Sequence, residues 1–103
     1  MLNLLNETLD VLAKNGKALK DVELLIDTSQ KIAAVVTEAE LMKALNVNYD
    51  NGWGCEEINT NLRLEGKGFW LERRCYDGAE WWEFKEHVLQ CKTVHVEDII
   101  IKN

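Results

Sequence analysis

The sequence predicts a single α+β domain, in which two short helices accompany an antiparallel sheet made of an N-terminal hairpin and a three-stranded meander. A chain of 103 residues with 47% hydrophobic residues can build one core but not two, so the domain spans residues 1–103. Asp77-Gly78 between two alternating runs predicts a tight hairpin near the C-terminal end. The chain has no proline, repeat or low-complexity tract that would indicate a linker.

The first helix is predicted by leucines that recur at steps of three and four. Asn15-Gly16 follows them, so we expect this helix to end at a glycine of left-handed conformation. The buried stripe then consists of Leu2, Leu5, Leu9 and Leu12.

A hairpin is predicted next. Apolar residues alternate with charged ones from Val22 to Asp27, and a β-branched run covers residues 32–36. The polar residues 27–30 between these runs are typical of a turn.

The second helix begins at Thr37, which forms a capping box with Glu40. Its buried stripe is predicted to be Leu41, Met42 and Leu45, and its end lies near Asn46. The closely spaced glycines of Asn51-Gly52-Trp53-Gly54 then predict a loop, because glycine in a regular element costs entropy.

The meander runs from Leu62 to Phe84, with turns at 66–68 and 77–78. A two-residue turn at Asp77-Gly78 sets the register, so that Leu71 faces Phe84, Arg73 faces Trp82 and Cys75 faces Glu80 on one side of the sheet. The other side carries Trp70, Glu72, Arg74, Tyr76, Trp81 and Glu83. The apolar tail at 96–101 fits either a last strand or a helical turn.

Charge and composition exclude several classes of function. A net charge of −6 disfavours direct binding to nucleic acid or to anionic membranes. The apolar runs are too short to span a membrane, and the N-terminus lacks the features of a signal peptide, so we expect a cytoplasmic protein. No nucleophile is accompanied by a base, an orienting third group and oxyanion donors, so we expect no enzymatic activity.

Several short motifs in the middle third give the sequence a recognisable pattern. They are Tyr49-Asp50-x-Gly52-x-Gly54, Trp70-Leu71-Glu72-Arg73, Tyr76-Asp77-Gly78 and Glu80-Trp81-Trp82-Glu83-Phe84-Lys85. The chain thereby resembles small acidic proteins carried by phages and prophages of Firmicutes. The resemblance implies a source and a fold but no reaction, since it includes no catalytic motif. Anti-CRISPR proteins are small acidic phage proteins of this sort, and by analogy we expect an anti-defence role.

The acidic charge is concentrated in residues 50–84, where eight carboxylates and four bases give −4 of the total −6. A carboxylate-rich surface of this kind could occupy the basic nucleic-acid channel of a host CRISPR effector nuclease and block loading. The residues predicted to bind this partner are Glu56, Glu57, Trp70, Glu72, Asp77, Glu80, Trp81 and Glu83. Two alternatives stay open: an acidic face that serves only solubility, and a phage accessory or regulatory protein that binds another host protein.

Cysteines and histidines form a second candidate site. His87, Cys91 and His95 are spaced four apart, so on a helix they would share one face, and thiolate with imidazole suits zinc. One structural zinc could be held by four of the five residues Cys55, Cys75, Cys91, His87 and His95. The alternative is three half-buried free thiols that pack as small hydrophobes.

Overall fold

The computed structural model describes residues 1–50, 56–87 and 93–101. The protein is α+β, as the sequence predicts, with a two-stranded and a five-stranded antiparallel sheet. In chain order the elements are β1 (Leu2–Asn3), α1 (Leu4–Lys14), a 3-10 turn (Leu19–Asp21), β2 (Val22–Asp27), β3 (Ile32–Val35), α2 (Glu38–Ala44), β4 (Asn48–Tyr49), β5 (Leu62–Gly66), β6 (Phe69–Tyr76), β7 (Ala79–Glu86) and α3 (Val96–Ile100).

The predicted hairpin and meander join into one sheet in the order β3-β2-β5-β6-β7. The predicted register of β6 and β7 is confirmed, with Leu71 opposite Phe84 and Cys75 opposite Glu80. Asp77 and Gly78 both have positive φ, 49° and 83°, as a type I′ turn requires. The two faces of the meander are therefore occupied by the residues that the sequence assigned to them.

Helix α1 packs against β7, and the core lies between the helices and one face of the sheet. Gly16 follows α1 with φ of 71°, which confirms the predicted left-handed end. The core consists of Leu4, Leu12, Leu19, Val22, Leu41, Leu45, Tyr49, Leu64, Phe69, Leu71 and Trp82.

The predicted buried stripe of α1 is partly wrong. Leu2 lies in β1, before the helix begins, and is exposed, and Leu9 also faces solvent. The buried face instead includes Thr8, whose hydroxyl accepts a hydrogen bond from the Trp82 indole at 2.8 Å. A polar side chain takes this interior position because it satisfies the indole donor.

The capping box of α2 is confirmed: the Thr37 hydroxyl accepts from the Glu40 amide at 3.2 Å, and the Glu40 carboxylate accepts from the Thr37 amide at 3.0 Å. Leu41 and Leu45 are buried as predicted, but Met42 is exposed because it lies off their face of the helix.

Of the two alternatives left open for the C-terminal tail, a last strand or a helical turn, the structure has the helical one: the short helix α3, a third helix beside the two predicted. The predicted loop at 51–54 lies outside the described residues. No helix in the described part of the chain is long and apolar enough to cross a membrane.

Candidate functional site

The turn that joins β6 and β7 is organised by a buried ion pair. Arg73 and Glu80 lie on the core face of their strands, each with a side chain 2% exposed, and Arg73 Nη2 lies 3.2 Å from Glu80 Oε1. Arg73 Nη1 also donates to Glu7 Oε1 of α1 at 3.1 Å. The guanidinium therefore joins the helix to the end of the meander.

Glu80 also fixes the segment that precedes β5. Its two carboxylate oxygens accept hydrogen bonds from the backbone amides of Glu57, at 2.9 Å, and Ile58, at 3.1 Å. Glu80 is thus an interior residue, which corrects its placement among the surface carboxylates. Charged hydrogen bonds in a low-dielectric interior are strong, so this carboxylate holds the segment firmly against the sheet.

Tyr49 and Glu7 complete the network on the side of α1. The Tyr49 hydroxyl donates to the Glu7 carboxylate, which also accepts from the Trp82 amide at 3.2 Å. Burial, followed by the hydrogen bond to Glu7, raises the pKa of Tyr49 to about 12, and the hydrogen bond from Arg73 opposes this rise by a smaller amount. The network is therefore built to keep the phenol neutral beside a carboxylate.

Three carboxylates remain exposed at this end of the sheet: Glu56, Glu57 and Asp77. Among the described residues, none of them forms a salt bridge. Glu57 accepts a hydrogen bond from the Asp50 amide at 3.0 Å, which brings a fourth acidic residue to the same place. Negative charge thus concentrates here, and no base in the described part of the chain forms a salt bridge with these three carboxylates.

Cys75 lies beside this acidic group and is the exposed free thiol of the described chain. Its thiol donates to the Glu56 carboxylate, which lowers the pKa of Glu56. The same hydrogen bond, followed by burial and by the charges of Glu56 and Glu80, raises the pKa of the Cys75 thiol. The neutral thiol is therefore favoured, opposite to what a nucleophilic cysteine requires.

The carboxylates on the other face of the meander are neutralised. Glu72 lies 3.3 Å from Arg74 and 3.6 Å from Lys85, and Glu83 contacts the same two cations. Two carboxylates and two bases leave no net charge on this part of the sheet. Glu72 and Glu83, both predicted to bind a partner, therefore add little to an acidic surface.

The predicted aromatic residues occupy different environments. Trp81 is 41% exposed and lies near the β6–β7 turn, whereas Trp70 is half-buried between the Arg63 guanidinium, 4.6 Å from its ring, and the His87 ring, 5.0 Å away. Tyr76, which is 79% exposed, was not among the predicted binding residues. Its position just before Asp-Gly, on the same face as Trp81, was the signal that could have identified it.

We call the exposed residues at this end of the sheet the acidic tip: Glu56, Glu57 and Asp77, with Tyr76 and Trp81, whose side chains lie on the face opposite Cys75 and Glu80. Of the predicted partner-binding residues it keeps four, it adds one tyrosine, and it leaves out those that are buried or neutralised. Its exposed aromatic rings are of the kind that anchor protein interfaces, and within the described residues its carboxylates form no salt bridge.

The predicted zinc site is corrected in part. His87 donates its amide to the Gly68 carbonyl at 3.0 Å, at the opposite end of β7 from Glu80 and Cys75. Seven residues of extended chain, at about 3.3 Å each, separate the two positions by about 23 Å, so Cys75 and His87 cannot share one ion.

The predicted helix that would align His87, Cys91 and His95 on one face does not include either histidine. His87 directly follows β7, and His95 has extended backbone as the N-cap of α3. Cys55 and Cys91 lie outside the described residues. Within the described ranges, no three residues among His, Cys, Asp and Glu are grouped so as to hold a metal ion.

Comparison with protein-family models, with curated proteins and with solved structures finds no match to this chain. The resemblance to phage proteins therefore stays a prediction from the motifs.

Proposed function

We propose that this protein is a phage anti-defence protein, an inhibitor that binds a CRISPR effector nuclease through the acidic tip and blocks nucleic-acid loading without catalysing a reaction. The observation that carries the proposal is the exposure of Glu56, Glu57 and Asp77, none of which forms a salt bridge with another described residue, at the end of the sheet that also carries the exposed rings of Tyr76 and Trp81.

The rigidity of the tip supports a binding role. Glu80 holds the backbone at Glu57 and Ile58, and Arg73 ties Glu80 to α1 through Glu7. A surface that is ordered before association loses less conformational entropy when it binds. The buried network therefore favours affinity without touching the partner.

The charge of the tip favours a basic protein surface as the partner. A protein of net charge −6 approaches such a surface by electrostatic steering, which raises the association rate and makes it sensitive to salt. Effector nucleases hold nucleic acid in a positively charged channel, which is a surface of this kind. Tyr76 and Trp81 would supply the aromatic anchors that concentrate binding energy at interfaces.

Nucleic acid itself is a poor partner for this surface. Single-strand binders combine stacking aromatics with a positive groove, whereas this chain has a net charge of −6, and Arg74, the residue opposite Trp81, is paired with Glu72 and Glu83. The carboxylates of the acidic tip would repel the phosphate groups of a nucleic acid.

The proposal is tested by a plaque assay in CRISPR-immune hosts that express the protein, beside a non-immune host and a host with a second defence system. We expect plaquing to be restored only in a CRISPR-immune host. Restoration against the second system as well would contradict a CRISPR-specific role. Absence of rescue across several CRISPR subtypes would favour the accessory-protein alternative, in which the same tip binds another host protein.

A further inference from the structure

Strand β3 is an unprotected edge of the five-stranded sheet. All four of its residues are exposed, with Ile32 at 57% and Val35 at 83%. Edge strands of soluble proteins are usually blunted by a charge, a proline or a bulge, but residues 32–36 contain neither charge nor proline. This edge is therefore chemically suited to pair with another strand.

The unpaired backbone groups of β3 can be identified from its register with β2. The Val36 amide donates to the Glu23 carbonyl at 3.0 Å, so residues of even number direct their amides and carbonyls toward β2. Ala33 and Val35 consequently direct theirs away from the sheet. Two donors and two acceptors are available on each copy of the chain.

We propose that β3 pairs antiparallel with β3 of a second copy, which joins two five-stranded sheets into one of ten strands. A two-fold axis at Ala34 places Ala33 of each copy opposite Val35 of the other, so all four outward groups of each copy form hydrogen bonds. The small side chain of Ala34 allows the close approach that the axis requires.

Apolar contact favours this register as well. An open cavity of about 230 Å³ lies beside β3 and is lined mainly by Leu25, Ile32, Ala34 and Leu62. The pairing brings the cavities of both copies together across the axis, with Ile32 of one copy opposite Val36 of the other. Apolar surface that the monomer leaves in water is thereby buried.

Charge complementarity identifies a second copy as the occupant. Lys31 lies in the turn before β3 and Glu38 is the first residue of α2 after it, so the two-fold axis brings Lys31 of one copy to the end of the paired strands at which α2 of the other copy begins. Within the described parts of the chain, neither Lys31 nor Glu38 takes part in a salt bridge. The two-fold symmetry forms this attraction twice, at both ends of the paired strands.

The test is the molar mass of the full chain in solution, measured by sedimentation equilibrium at ~0.15 M salt, where net repulsion is screened beyond about 8 Å. The mass should rise from 11.9 kDa toward twice that value between ~1 μM and ~1 mM, since a short edge gives a small interface of modest affinity. A mass that stays at 11.9 kDa throughout would overturn the proposal.

Variants locate the interface. Val35→Lys should weaken self-association at least ~10-fold by placing two charges beside the axis, whereas Val96→Lys, at an exposed valine of α3, should leave it unchanged. Val35→Pro should also weaken it, because it removes an outward amide that β2 does not use. Circular dichroism verifies that each variant is folded. Equal association of Val35→Lys and Val96→Lys would overturn the proposal.

Lys31→Glu provides an independent measurement that leaves the strand residues intact. It should weaken self-association, and the added change Glu38→Lys should restore it by exchanging the charges. Failure of the double variant to recover any association would contradict the proposed register.

Discussion

Replacement of Glu80 by Gln should destabilise the protein strongly, although the residue lies beside an exposed turn. The change keeps the shape of the side chain but leaves the Arg73 guanidinium, 2% exposed, with a weaker partner at 3.2 Å. Breaking a buried ion pair costs about 3–5 kcal/mol. Glu7 still compensates part of the Arg73 charge, and the amide oxygen can still accept one of the two backbone hydrogen bonds, so we expect a loss of about 3 kcal/mol.

Urea denaturation at pH 7 measures this loss. With a slope of about 1–3 kcal/mol/M, the midpoint should fall by about 1–3 M, and the melting temperature should drop by about 12 °C or more. Glu83→Gln is the matched control, because Glu83 is paired with Arg74 and Lys85 on the solvated face and should leave the midpoint almost unchanged. Equal midpoints for Glu80→Gln and the wild type would refute the structural role of the network.

Three further predictions concern titration and reactivity. Absorbance at 295 nm should show Tyr49 ionising at about pH 12, and Tyr49→Phe should remove this step. Because the pKa of Tyr49 is raised in the folded protein, the neutral phenol stabilises the fold below about pH 10, and this stabilisation is lost as pH rises through 12. Glu56→Gln should speed alkylation of Cys75 at pH 8, since the carboxylate raises the thiol pKa, and an unchanged rate would contradict their hydrogen bond. Hydrogen bonds from Ser29 and Asn59 lower the pKa of Asp27 to about 2, so the ionised carboxylate should stabilise the fold above about pH 4 and lose this effect as pH falls through 2. An Asp27 carboxyl carbon that titrates near pH 4 by NMR would contradict this.

Local signals were sufficient for much of the fold. Asp77-Gly78 predicted both the turn and the register, because Asp-Gly favours a two-residue turn with positive φ at both positions, and the length of the loop sets which residues face each other. Thr37 and Glu40 identified the start of α2 for a similar reason, since the capping box is formed within four residues.

The buried network around Arg73 could not be predicted from short sequence motifs. The register placed Arg73 and Glu80 on the same face as Leu71, which hinted that their charges were interior. Their further partners, Glu7 and Tyr49, lie on elements 66 and 24 residues from Arg73, so only the tertiary fold brings them together. Sequence reasoning therefore assigned Glu80 to the surface.

The position of the acidic surface was predicted only in part. Counting charges in residues 50–84 gave the right region, but it could not show that Arg74 and Lys85 neutralise Glu72 and Glu83 across the strands. Cross-strand distances decide which carboxylates stay unpaired, and they depend on side-chain conformation as well as register.

The most direct test of the account is whether inhibition depends on where the charge lies rather than on how much there is. Two double variants make this comparison: the first combines Glu56→Gln with Asp77→Asn, and the second combines Glu97→Gln with Asp98→Asn. Each removes two carboxylates and so changes the net charge from −6 to −4. The first pair lies in the acidic tip and the second on α3, and Asn is well suited to the positive φ of position 77.

The measurement is target cleavage by a purified CRISPR effector complex, titrated with each variant at fixed ionic strength. We expect at least ~10-fold weaker inhibition by the tip variant and wild-type inhibition by the α3 variant. Equal inhibition by the two variants would contradict the acidic tip as the binding surface.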